Sequence, residues 1–211
     1  MNTYIDHTNL KPTATVEDIT KLCQEAIEHN FYAVCVNGNY IHYAIDQLKD
    51  TEIKVAAVAG FPLGSNTLNA KLNEVDLLVA AGAEEIDIVV NIGYVKSGLW
   101  QDVEAELAMA RVISEDVCLK VILETCYLTD EEIIRICEIA KNEGIDFVKT
   151  STGFGTAGAT LRHVQIMKDT VGDKVKIKAS GGIRDAATAQ QYIDAGVSRI
   201  GTSSGVKIVG G

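Results

Sequence analysis

Basic side chains are in short supply: 19 lysines and arginines stand against 29 aspartates and glutamates, a formal charge of −10. That balance excludes an extended phosphate-backbone partner, because nucleic-acid binders present clustered lysine and arginine. It leaves room for a local basic pocket around one small anion. No run approaches the roughly 18–20 uninterrupted apolar residues of a membrane span. Neither a Pro/Gly/Ser-rich linker nor a charge block divides the chain, so residues 1–211 read as a single domain. The histidines, His7, His29, His42 and His163, are too dispersed to suggest a metal cluster. Cys23, Cys35, Cys118, Cys126 and Cys137 form no CxxC pair and no metal-ligand spacing. Their odd number, with polar residues from Asn2 onward where a secretory leader would be apolar, points to a reducing, cytoplasmic setting. Each cysteine reads first as an inert core residue.

What is present is alternation. Hydrophobic residues make up 47% and charged residues 23%, the balance of a soluble globular protein. Short apolar, β-branched runs at 4–8, 32–36, 54–59, 85–90, 118–123, 146–149, 175–179 and 199–202 are separated by stretches with helical periodicity. Ile19, Leu22, Cys23, Ala26 and Ile27, for example, fall on one helix face, and Thr129-Asp130-Glu131-Glu132 is an acidic helix start. Eight strands with helices of crossover length predict parallel pairing and right-handed connections, hence an α/β parallel (β/α)8 TIM barrel. An open doubly wound sheet is the second choice, since the repeated units show no point where strand order would reverse. With only residues 203–211 after the last strand, the final helix is expected to be short or missing.

Such barrels place their chemistry at the C-terminal ends of the strands and in the loops that follow. Lys149 ends one strand and is followed by the polar loop Thr150-Ser151-Thr152-Gly153. A buried lysine asks for a partner or a use. As an amine it attacks a carbonyl only in its unprotonated form, which desolvation or a neighbouring positive charge favours. Lys178 on the next strand can supply that charge, and Asp87 can hold Lys178 charged while passing protons. Lys120 competes for a place in this group, and Lys176 shares a strand face with Lys178, so period two alone does not choose between them. Gly153 with Gly155, Gly181 with Gly182, and Gly201-Thr202-Ser203-Ser204 follow the last three strands. Glycine lets backbone amides approach an anion, and loops seven and eight are the usual phosphate seat of this architecture; Arg184 adds charge.

With these residues assembled, the sequence resembles the deoxyribose-phosphate aldolases, a family of class I, Schiff-base aldolases. The resemblance runs through Ile5-Asp6-His7-Thr8, Ala33-Val34-Cys35-Val36, Gly60-Phe61-Pro62-Leu63-Gly64, Glu85-Ile86-Asp87-Ile88-Val89, Lys120-Val121-Ile122-Leu123-Glu124-Thr125, Val148-Lys149-Thr150-Ser151-Thr152-Gly153, Lys178-Ala179-Ser180-Gly181-Gly182-Ile183-Arg184 and Gly201-Thr202-Ser203-Ser204-Gly205. The two lysine motifs together, in this order, are specific to it. The resemblance implies reversible cleavage of 2-deoxy-D-ribose 5-phosphate to D-glyceraldehyde 3-phosphate and acetaldehyde, with neither metal nor cofactor, in a cytoplasmic enzyme and a homodimer. It implies Lys149 as the imine-forming lysine, Lys178 as the lysine that perturbs it, and Asp87 as the proton-relay carboxylate. Asp6, Thr8 and Cys35 match positions near the substrate, and Gly153, Gly181, Gly182, Arg184, Gly201, Ser203 and Ser204 match the phosphate side. Two departures stand out: Phe154 follows the first motif where some relatives carry lysine, and the tail tyrosine of some longer relatives has no counterpart. The competing readings are a phosphosugar isomerase or epimerase without a covalent step, and a catalytically silent phosphosugar sensor.

Overall fold

Each apolar run becomes a parallel strand because both of its faces are covered, one by helices and the other by the interior of the closed sheet. In the computed structural model, which describes residues 1–210, the strands are β1 (Ile5–Asn9), β2 (Ala33–Val36), β3 (Lys54–Ala59), β4 (Glu85–Val89), β5 (Cys118–Ile122), β6 (Phe147–Lys149), β7 (Lys176–Ser180) and β8 (Arg199–Thr202). They pair in sequence order, and β8 closes on β1, so the expected (β/α)8 barrel is present and the open sheet is excluded. Helices α1 (Val16–His29), α2 (Ile41–Leu48), α3 (Leu68–Ala80), α4 (Ile92–Lys96), α5 (Trp100–Ile113), α6 (Asp130–Asn142), α7 (Leu161–Val171), α8 (Ala186–Asp194) and α9 (Gly205–Gly210) surround it. The last helix is short, as the sequence suggested. The five-residue α4 was not foreseen, because so short a segment leaves no readable period; the Asn91 side chain caps it by accepting the Tyr94 N–H at 3.2 Å.

Local signals set the helix starts. Thr15 and Asp18 form a reciprocal capping box at α1, and Thr129 and Glu132 form another at α6, each satisfying donors that the first turn leaves without partners. Strand residues alternate between two environments. Val34, Val36, Val55, Ala57, Ile86, Ile88, Val121 and Val148 point outward into a continuous apolar layer against the helices. Burying each large aliphatic side chain there contributes roughly 1.5–3 kcal/mol. The inward set is different: Leu10, Cys35, Ala56 and Val58, with Phe61, make a small apolar cluster on the β2–β3 side, while charged residues fill much of the rest. No helix among the described residues is long and apolar enough to cross a membrane.

Candidate active site

Strand register brings the charges together. Lys149 lies opposite Lys178 across the β6–β7 pair, and Asp87 lies opposite Lys120 across the β4–β5 pair. All four point into the barrel. Asp87 Oδ2 accepts hydrogen bonds from Lys149 Nζ at 2.6 Å and Lys178 Nζ at 2.9 Å, while its Oδ1 accepts one from Lys120 Nζ at 2.9 Å. Lys178 also pairs with Asp6 Oδ2 at 2.5 Å. Below them Lys120 pairs with Glu85 at 2.7 Å, and Arg199 bridges Asp6, at 3.0 Å, to Glu85. The cluster thus holds four cationic side chains and three carboxylates, every one of them at least 95% buried.

The protonation of the cluster follows from competition between burial and pairing. Burial, the largest single influence on Asp87, favours its neutral form, but Lys120, Lys149 and Lys178 together outweigh it and hold the carboxyl well below the usual range. Burial likewise acts first on Asp6, and Lys178 and Arg199 overcome it, leaving its pKa lowered. Lys178 is pushed down by burial and up by Asp6 and Asp87, with the carboxylates prevailing. Lys120 is raised in the same way by Asp87 and Glu85. Asp6, Asp87, Lys120 and Lys178 therefore form a charged lattice at neutral pH.

Above this lattice lies a cavity of about 440 Å³, bordered by Thr8 from β1, Lys149 from β6, and the loops after β6, β7 and β8. Gly153, Gly181, Gly182, Arg184, Gly201 and Ser203 all border it. Gly181 and Gly182 have consecutive positive φ angles of 87° and 84°, a path that side-chain-bearing residues seldom follow. Gly201 serves packing as well, since a Cβ there would come within 3.0 Å of Lys178 Cε. Lys149, the last residue of its strand, is the only one of the seven clustered charges that borders the cavity. Asp6, Asp87 and Lys178 lie beneath it.

The remaining sequence candidates fall elsewhere. Cys35 is fully buried in the apolar cluster and does not border the cavity, and burial pushes its thiol pKa up. Ser204 sits behind the rim, where its N–H donates to Thr202 Oγ1 at 2.9 Å and its carbonyl accepts from Ile208. Lys176 is exposed at the start of β7 with its ammonium 5.6 Å from the Phe147 ring centroid, which settles the choice that periodicity left open in favour of Lys178. Lys120 is not a rival but a further partner of Asp87. Phe154 is 51% exposed and meets Phe61 edge-on, with ring centroids 5.3 Å apart, giving the cavity an aromatic rim.

Glu85 and Arg199 escaped the sequence reading. Their only signal was position: Glu85 shares the inward face of β4 with Asp87, two residues on, and Arg199 opens an otherwise uncharged strand. His7 also borders the cavity, and its Nε2 lies 2.7 Å from Glu25 Oε2.

The profile for DeoC/LacD family aldolases matches residues 1–209. The chain is 48% identical over 211 residues to deoxyribose-phosphate aldolase 1 of Vibrio vulnificus, covering 100% of this chain and 96% of that protein. It is 54% identical over 211 residues to the deoxyribose-phosphate aldolase of Carboxydothermus hydrogenoformans, covering 98% and 92%. The solved tetrameric deoxyribose phosphate aldolase of Aeropyrum pernix superposes with a TM-score of 0.89 at 32% identity, covering 99% of this chain and 89% of that one.

Proposed function

The chain belongs to the DeoC/LacD family of aldolases, and we propose that it cleaves 2-deoxy-D-ribose 5-phosphate reversibly to D-glyceraldehyde 3-phosphate and acetaldehyde through an imine on Lys149. The observation that carries this reading is the asymmetry of the buried charges: Lys149 alone reaches the cavity, while its carboxylate partner and the second ammonium stay beneath the floor. An amine so placed meets a carbonyl and not bulk water.

In the cleavage direction the Lys149 amine adds to C1 of the open-chain sugar, and loss of water gives a protonated imine. That cation is an electron sink. As the C2–C3 bond breaks, its electron pair moves into the enamine, the C3 hydroxyl gives up its proton, and C3 becomes the aldehyde carbon of glyceraldehyde 3-phosphate. Protonation of the enamine at C2 and hydrolysis of the imine release acetaldehyde and restore the amine. Asp87 accepts hydrogen bonds from both Lys149 and Lys178 and is the group through which protons pass between the two amines beneath the floor, Lys149 being the member of the relay that meets a cavity water or the substrate hydroxyl. Lys178 keeps positive charge beside the reacting nitrogen. The phosphate rests against Gly153, Gly181, Gly182, Gly201, Ser203 and Arg184, with no lysine at position 154 to assist.

Borohydride reduction in the presence of acetaldehyde tests the reading. Reductive ethylation of Lys149, located by peptide mapping, is the expected result. Active protein whose Lys149 remains unmodified would overturn the imine and favour a non-covalent isomerase. The five unpaired thiols suit a reducing cytoplasm, and a homodimer is the proposed assembly. Light scattering at micromolar protein checks the latter, and a tetramer such as that described for the Aeropyrum pernix protein would overturn it.

A further inference from the structure

The loop that follows Lys149 is held by a side chain with no part in the chemistry above. Glu124 lies just beyond the end of β5 with left-handed backbone angles of φ 56° and ψ 61°, a conformation that residues other than glycine seldom adopt and that persists only where the surroundings enforce it. Its side chain is 2% exposed, and none of the ion pairs among the described residues includes it. A buried carboxylate without a cation must fill its lone pairs with hydrogen bonds. Here one residue supplies most of them: the Thr152 N–H lies 3.3 Å from each oxygen, and the Thr152 hydroxyl donates to Oε2. The Cys126 thiol approaches Oε1 at 3.9 Å.

The restraint extends along the loop. Thr152 Oγ1 accepts the Phe154 N–H at 3.0 Å. Gly155 then crosses the carboxylate so closely that a Cβ there would lie 3.0 Å from Glu124 Cδ. At the far end a Cβ on Gly158 would come within 2.1 Å of the Gly181 carbonyl oxygen, and the Ala159 N–H reaches the Ser180 and Gly181 carbonyls, both at 3.1 Å. The loop is therefore fixed at two points, on Glu124 and on the loop after β7. Gly153 hangs between them at the cavity edge, with open space where a side chain would be.

We propose that Glu124 is a positioning residue for the anion-holding side of the cavity: it fixes the backbone from Thr152 to Gly155 so that the Gly153 amide is presented to the substrate phosphate. Glu124 does not border the cavity and makes no hydrogen bond or ion pair with Lys149, Lys178 or Asp87. The inference rests on the reading that the substrate carries a phosphate.

The test uses the whole chain with Glu124→Gln, which keeps the shape but replaces one acceptor oxygen with a donor facing Thr152. Losing one to two hydrogen bonds in the loop is expected to raise KM for deoxyribose 5-phosphate and Kd for inorganic phosphate about tenfold. The variant keeps kcat, borohydride trapping of acetaldehyde and kcat/KM for unphosphorylated deoxyribose within about twofold. Thr152→Val keeps the backbone N–H bonds to Glu124 but removes the hydroxyl's bond to Oε2 and its acceptance of the Phe154 N–H. It is expected to weaken inorganic phosphate in the same direction, which keeps the test decisive should the first variant fold poorly. Equal losses on the phosphorylated and unphosphorylated sugars, a fall in trapping, or unchanged phosphate affinity would each overturn the assignment. If the wild type binds inorganic phosphate but does not cleave the sugar phosphate, the proposed reaction falls, and the phosphate titration still decides the role of Glu124.

Discussion

Lys149 and Lys178 sit side by side in register and share one carboxylate oxygen, yet they play different parts because of depth. Lys178 is fully enclosed between Asp6 and Asp87, whereas Lys149 ends its strand and opens onto the cavity. Replacing Lys149 by alanine removes the only amine placed to form the imine, and turnover and borohydride trapping are expected to fall to background together. Lys149→Arg is expected to do the same, since a guanidinium stays protonated and forms no imine. Lys178→Leu is a different experiment. It removes an ammonium from beside Asp87 and leaves that carboxylate to Lys149 and Lys120, which favours the protonated amine. The rising limb of the pH–rate profile should move to higher pH, and kcat at neutrality should drop by about 10²–10⁴, the usual contribution of a positioned acid–base group. A profile that superimposes on the wild type would remove Lys178 from the assignment. The lysine motifs showed both residues in the sequence, but depth, which divides their labour, becomes visible only when the strands are laid in register.

Among elements, the loop after β3 depends on one buried pair outside the barrel interior. Lys71 of α3 donates to Glu106 of α5 at 2.7 Å and to the carbonyls of Gly64 and Val89, both at 2.9 Å, while Glu106 also accepts the Asn91 N–H at 3.0 Å. Both side chains are fully buried. The pair therefore ties two helices to the Phe61-bearing loop and to the segment that starts α4. Breaking it leaves a carboxylate buried without its cation, so Lys71→Met is expected to cost about 3–5 kcal/mol, read as a lower denaturant midpoint at unchanged slope. Adding Glu106→Leu should restore part of that loss because it removes the orphaned charge, although the freed backbone groups remain unpaired. A double variant no more stable than Lys71→Met would contradict this account. Neither partner was legible in the sequence, since a lysine and a glutamate among helical polar residues look like a solvated face. What buries them is the fit of α3 against α5.

At the scale of the whole molecule, the barrel was readable because eight β-branched runs with crossover-length helices between them admit few topologies. Lys149 was readable because a charge that ends a parallel strand faces the mouth, whereas Asp87 and Lys178 lie mid-strand beneath it and were picked out by the motifs that carry them. Glu85 and Arg199 were not, because a charge that opens a strand looks like its solvated flank; closure of β8 on β1 carries Arg199 to Asp6 and Glu85. This buried lattice gives the fold a defined response to pH. Asp6 and Asp87 titrate below their unfolded value of about 3.9, so their contribution is complete above that pH and is lost as pH falls through the folded values. Lys120 and Lys178 titrate above their unfolded value of about 10.4, so theirs is complete below it and is lost as pH rises through the folded values. Lys71 and Glu106 act in the opposite sense, because burial pushes the lysine down and the acid up, but those displacements belong to one pair against four groups here. The thermal midpoint should therefore be flat from about pH 5 to pH 9 and fall on both sides, by about 2–4 °C for each kcal/mol lost in a chain of this size. Asp87→Asn removes the centre of the lattice and should lower the plateau while making the acid limb shallower. Calorimetry across that range decides the matter: a midpoint that slides steadily between pH 8 and pH 5 would mean that surface carboxylates, not the buried lattice, govern stability.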